Sequence, residues 1–155
     1  MKKVIFVFAL MLVFQSGVVF GQDIPKNSLA VGFSYSLVLP IGAGPGISIE
    51  YERLINKMFS ISFDVGMDMF VFPYAEIKGR WFPWSGAFFV GVSAGFWSIF
   101  PFENVFSLLA ISPNIGWRIP IGNHLVLLPS FTTRLIFLDE LFNMNKLSLQ
   151  IGYRF

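Results

Sequence analysis

Ten charged residues fall on alternating positions between apolar neighbours: Glu50, Glu52, Asp64, Asp68, Glu76, Lys78, Arg80, Arg118, Lys146 and Arg154. In a confined space such a mixed set has two uses. Opposite charges can pair into a polar core, because an isolated charge away from water is costly. They can also line a narrow path for ions. Hydrolysis is a third chemistry to weigh, with Ser62 as hydroxyl and Asp64 and Asp68 as carboxylate helpers. No histidine lies near them to act as general base; the only one, His124, follows the turn-like stretch 119–123. No enzyme is expected, and no cofactor. GAGPG at 42–46 resembles a phosphate-binding loop only superficially, since neither a helix start nor a lysine follows it. It is expected to be a flexible loop. No metal-ligand spacing occurs, and without a single cysteine there is neither a disulfide nor a thiolate site.

The elements that must hold these charges are strands. Eight segments alternate with period two: residues 29–37, 47–52, 59–68, 75–81, 88–96, 109–118, 125–132 and 147–155. In the third, Phe59, Ile61, Phe63, Val65 and Met67 oppose Ser60, Ser62, Asp64, Gly66 and Asp68; in the last, Leu147, Leu149, Ile151, Tyr153 and Phe155 oppose Ser148, Gln150, Gly152 and Arg154. The uncharged run 81–102 is long enough for a membrane helix. Pro83, Gly86, Gly91, Gly95 and Pro101 interrupt it, however, and its middle alternates Phe88, Val90, Val92, Ala94 and Phe96 with Phe89, Gly91, Ser93 and Gly95. Apart from Arg53 and Lys57, the apolar faces carry no charge. The charged face must therefore be the enclosed one. A sheet apolar over its whole outer surface is stable only in lipid, and only if closed.

Composition agrees. Hydrophobic residues make up 55% of the 155, and mean hydropathy is +0.68, high for a soluble domain. Lys2 and Lys3, the apolar stretch 4–14 and Val19-Phe20-Gly21 read as a signal peptide over 1–21, leaving a barrel domain over 22–155. No cysteine follows the cleavage site, so a lipoprotein anchor is excluded. Removing the two lysines leaves nine basic residues against nine acidic ones, which gives a nucleic-acid partner no support.

Three segments end alike, IKGRWFP at 77–83, IGWRIP at 115–120 and IGYRF at 151–155. Each places an aromatic (Trp81, Trp117, Tyr153) in the outward phase, as an interfacial girdle requires, and an arginine in the inward phase. These ends are expected to be periplasmic. Arg80, Arg118 and Arg154 are expected to pair with Glu50 and Glu52 as a plug there. Connections are expected at 54–58, 83–86 and 119–123 on that side, and at 40–46, 70–73, 98–106 and 135–143 on the other. Pro113 and Pro129 are read as facing each other across the third turn in one local defect or bulge of the sheet.

With its signal peptide, eight alternating segments and terminal LQIGYRF, the chain resembles small outer-membrane β-barrels of the OmpA, OmpX and OmpW type. The resemblance implies an all-β fold, a closed eight-stranded antiparallel transmembrane barrel in the outer membrane of a diderm bacterium. It also implies outer-membrane lipid as surroundings and the barrel-assembly machinery as a partner that reads the terminal Phe155. Two functions stay open: a structural barrel with a side-chain-filled lumen, or a conduit for small hydrophobic compounds, as in OmpW-like members. For the latter, Phe70, Phe72, Phe96, Trp97, Ile99, Phe100, Phe102 and Phe106 crowd the outer end; their alternative role is an outer aromatic girdle and loop packing. A lipid A-modifying enzyme and an adhesin rank below both, since His124 lies at the wrong end and the loops are short.

Overall fold

The computed structural model describes residues 26–38, 42–83, 87–99, 106–137 and 141–155. The expected signal peptide lies outside these residues. Nine strand segments follow one another: β1 (Asn27–Val38), β2 (Gly42–Leu54), β3 (Phe59–Asp68), β4 (Phe72–Trp81), β5 (Phe88–Ile99), β6 (Phe106–Trp117), β7 (Ile119–Ile121), β8 (Leu125–Phe137) and β9 (Leu141–Arg154). Each pairs antiparallel with its neighbour in the order β6-β5-β4-β3-β2-β1-β9-β8-β7, and β6 also pairs with β8, which closes the sheet. β6 and β7 are two parts of one stave, parted at Arg118 and both laid against β8. The fold is a closed barrel of eight staves. No helix among the described residues is long and apolar enough to cross a membrane.

The stagger of the barrel follows from its ladders. From Ser28 the partners run through Glu52, Ser62, Lys78, Ser93 and Ser112. Ser112 faces Arg134 in the register set by Ile111↔Leu135 and Asn114↔Thr132, and Met144 then leads back to Val38. One circuit thus climbs from position 28 to position 38, a stagger of ten residues. Eight staves with that stagger need a strand tilt of about 40–45° and a backbone radius of about 8 Å, which leaves room inside for side chains and little else.

Four expectations about connections are corrected. Residues 42–46 are not a loop: they begin β2, paired with Ser34 to Val38 of β1. Pro45 is tolerated because the β2–β3 ladder stops at Ile47↔Met67, so its missing N–H faces no second strand. Residues 135–143 are mostly strand, paired down to Phe137↔Leu141. Ile119–Ile121 is also strand, and the turn is Gly122 to His124, with Gly122 at φ +62°. The hairpin therefore pivots on Asn123 (Ile121↔Leu125) rather than on Ile121, and Pro113 and Pro129 do not meet. The register is the same at Ile115↔Phe131 and Ile119↔Leu127, so no residue is inserted: of the two readings the sheet has a local defect and not a bulge. Instead, ladder pairs drop out at 112–113 and at 117–118, where Pro113 and Pro129 have no N–H to give.

At the end away from the termini, Met69 and Phe70 both take positive φ, 51° and 55°, and Val71 N–H donates to the Asp68 carbonyl at 3.1 Å. This two-residue reversal matches strand twist. Without glycine or asparagine it costs about 1–2 kcal/mol per residue. Packing of Met69 against the buried apolar cluster at that end offsets part of the cost.

Candidate functional site

The alternation sorts side chains as the barrel requires. Leu29, Val31, Phe33, Tyr35 and Leu37 point outward and are exposed, while Ser28, Ala30, Ser34, Ser36 and Val38 are buried inside. Trp81, Tyr153 and Phe155 are exposed on the outer surface, and Trp117 is half-buried beside Phe88, edge to face at 5.5 Å. His124 is an exposed turn residue stacked on Tyr153, ring centroids 5.5 Å apart. Ser62, Asp64 and Asp68 are all buried inside the barrel on β3, so the exposed His124 is not brought to them.

The inward charges form two groups. Nearer the end that carries Asn27 and Phe155, Glu50 accepts from Lys78 Nζ at 3.0 Å and from Arg80, whose guanidinium grips both carboxylate oxygens, Nη2 to Oε2 at 2.8 Å. The two-pronged geometry suits a planar guanidinium. Glu52 takes Arg80 Nη1 at 3.1 Å, Ser60 Oγ at 2.7 Å and Ser28 Oγ at 3.4 Å, and Arg118 Nε lies 3.1 Å from its other oxygen. β6 and β2 stand on opposite sides of the barrel, so the Arg118 to Glu52 pair spans the lumen. Arg80 also lies over the Phe89 ring at 4.7 Å.

The second group lies toward the other end. Arg134 on β8 reaches across to Asp68 on β3 and, through Nε, to Glu76 Oε1 at 2.6 Å on β4. Glu76 also accepts from Ser93 and Ser112, each at 3.2 Å; Asp68 accepts from Ser36 at 3.2 Å and pairs with Lys146 at 3.1 Å. Tyr74 joins the groups. Its hydroxyl accepts from Lys146 Nζ at 2.6 Å and donates to Asp64 at 3.2 Å, and Asp64 is in turn held by Lys78 at 2.6 Å. Arg134 and Lys146 sit over its ring at 4.5 and 4.1 Å. Gly32 makes a further link possible: a side chain there would collide with Gln150, which passes over β1 to donate to Ser48 at 3.0 Å.

Apolar residues bound the charges on both sides. Val38, Phe72, Tyr74, Trp97, Ala110, Ile136 and Met144 cluster inside at the far end, with the Phe72 and Trp97 rings 4.7 Å apart. Leu54, Phe82 and Phe89 cluster at the terminus-bearing end. The reading of Phe72 and Trp97 as girdle residues is thereby corrected, since they share the inward phase of Glu76 and Ser93; Phe70 and Phe96 do face outward. Ile99, Phe100, Phe102 and Phe106 lie outside the described side chains.

Two more differences from the sequence reading concern arginines. Arg154 pairs with no carboxylate among the described residues; its Nη2 donates to the Gly122 carbonyl at 2.7 Å. Both Glu52 oxygens are already engaged by Arg80, Arg118, Ser28 and Ser60, so the turn carbonyl is the acceptor left to it. Arg134 was missed altogether. Its signal is present two positions past Thr132 in the inward phase, but the seventh alternating segment ends at 132.

No family model and no curated protein matches the chain. Solved structures do. Neisserial surface protein A is similar at TM-score 0.56 and 11% identity, over 83% of this chain and 97% of that one. The N-terminal β-barrel domain of Pseudomonas aeruginosa OprF is similar at 0.55 and 12%, over 84% and 99%. OprG, an outer-membrane protein from Pseudomonas aeruginosa, is similar at 0.54 and 9%, over 87% and 98%. The fold is that of the small outer-membrane β-barrels.

Proposed function

We propose that this chain is an integral outer-membrane protein with a structural role in the envelope, its lumen closed to general diffusion. The observation that carries the reading is Arg134, which ties β8 to β3 and β4 across the lumen between two apolar layers. An aqueous pore would need that path free. The terminus-bearing end faces the periplasm in this reading, with Trp81, Trp117 and Tyr153 at the nearer lipid interface. Planar-bilayer recordings of the refolded protein are expected to show no steady conductance; a large stable channel would overturn the closed lumen. The conduit reading rests on the inward pair Phe72 and Trp97. It gains if long-chain alkanes or detergents bind the silent barrel and Trp97→Ala abolishes that binding.

The same reading makes the last residue part of an assembly signal. Phe155 and Asn27 exchange backbone hydrogen bonds of 3.0 and 3.2 Å at the β1–β9 seam, while the Phe155 ring points outward. Deleting Phe155 is expected to cut the yield of folded barrel in cells much more than it weakens protein refolded in detergent. Equal losses in the two settings would leave it a purely structural rung.

A further inference from the structure

We propose that the outer wall formed by β6, β8 and β9 is the contact between two copies of this chain, paired side by side in the membrane through Asn145. Lipid surrounds the outer wall in the function proposed above, and the contact rests on that reading. On β8 and β9 the outward phase is apolar from Leu125 to Phe131 and from Leu147 to Ile151. Thr133 and Asn145 break it. They are register partners, both half-buried, and Thr133 Oγ1 donates to Asn145 Oδ1 at 3.0 Å. Neither N–H of Asn145 Nδ2 has an acceptor among the described residues.

The seam beside this pair is interrupted. In the register set by Ile111↔Leu135 and Asn114↔Thr132, Pro113 of β6 stands opposite Thr133. The pairs missing there are those that need the Pro113 nitrogen, so the Thr133 carbonyl lacks the donor that a ladder would give it. Depth makes the unmet groups costly. Tyr153 lies at the aromatic girdle, and Asn145 stands eight positions away on the same strand. At the tilt of this barrel a strand climbs about 2.5 Å per residue along the axis, which sets Asn145 roughly 20 Å from the girdle, within an apolar band about 25 Å tall. Acyl chains there offer neither donor nor acceptor.

A second copy supplies both. Two barrels inserted in the same direction, about a twofold axis along the membrane normal, set identical residues at equal depth. A carboxamide is donor and acceptor at once, so Asn145 can exchange hydrogen bonds with the partner's Asn145, and the Thr133 carbonyl and hydroxyl oxygens are further acceptors. Opposite insertion would part the two patches, since each lies well to one side of the midplane. The wall across the barrel has no group to match: Val65 and Met67 of β3 present apolar side chains there. One self-matching patch per barrel gives a closed dimer rather than a chain of barrels.

The chain has no cysteine, so Asn123→Cys in the exposed turn between β7 and β8 gives one labelling site. Donor- and acceptor-labelled barrels are refolded together in phosphatidylcholine vesicles, and energy transfer is read at rising ratios of lipid to protein. Transfer that persists where random encounter is negligible, with the acceptor dependence of a pair, supports the contact. Association should weaken about tenfold or more in Asn145→Leu, less in Thr133→Val, and persist in Asn145→Gln, which keeps the carboxamide. Met67→Leu, on the opposite wall, should leave it unchanged. A heat-shifted gel band reports folding and insertion of each variant. Wild-type protein that fails to insert would overturn both the lipid-facing reading and the contact, whereas inserted protein with transfer at the chance level would overturn the contact alone. Transfer that grows beyond a pair, or that is unaltered in whichever of Asn145→Leu and Thr133→Val folds, would overturn it as well.

Discussion

Arg134→Ala is expected to remove about 3–5 kcal/mol from the unfolding free energy of the barrel, because it strands buried carboxylates. Glu76 would keep only the hydroxyls of Ser93 and Ser112, and Asp68 only Lys146 and Ser36. All three members of the cluster are buried: Arg134 is 1% exposed, Asp68 0% and Glu76 2%. Arg118→Ala, by contrast, is expected to cost about 1 kcal/mol, because Glu52 retains Arg80, Ser60 and Ser28. Urea titrations in phospholipid vesicles, followed by tryptophan emission, measure both. A loss below about 1 kcal/mol for Arg134→Ala would mean that water already reaches the pair, and the closed lumen would go with it.

The rank order Arg134 above Arg118 was not legible in the sequence, and the reason is geometric. Period-two alternation assigns a residue to a face, so the inward phase of Glu50, Asp64, Glu76 and Lys146 could be read directly. Pairing across a closed barrel depends on the stagger as well. That quantity is set by where each hairpin turns, and the sequence pattern puts the turn between β7 and β8 two residues early. The error moved Pro113 and Pro129 into a false confrontation. Arg134 and the inward aromatics escape the pattern differently: small inward residues give way there to bulkier ones, which reads as the end of a strand. Phe72, Trp97 and Ile136 show that strands in this barrel continue into an apolar layer of the lumen. Glycine misled in the same direction. GAGPG looks like a loop by composition, but Gly44 and Gly46 occupy inward positions where Met69 and Ser34 approach closely, so small residues are what a strand there demands.

Phe33→Arg is expected to cost about 2–4 kcal/mol when the protein unfolds from phospholipid vesicles, the cost of a cation at the bilayer midplane. Phe33 stands midway along β1 between Ile47 and Leu149, and it is 75% exposed. A core-forming side chain that exposed has no protein to bury it. The barrel reverses the arrangement of a soluble domain: Glu50 and Arg80 are inside, and Val31, Phe33, Ile49 and Ile151 are outside. Lipid is the medium that makes this favourable. Ile121→Arg provides the depth control. Ile121 also faces outward but lies beside the turn at Gly122, so its substitution should cost only about 0–1 kcal/mol near the interface. If water instead surrounded the barrel, an arginine would be tolerated at both positions to within about 0.5 kcal/mol. Equal small losses would therefore remove lipid from the outer face, whereas a loss that grows from Ile121 to Phe33 ties the apolar phase of every stave to the thickness of a membrane.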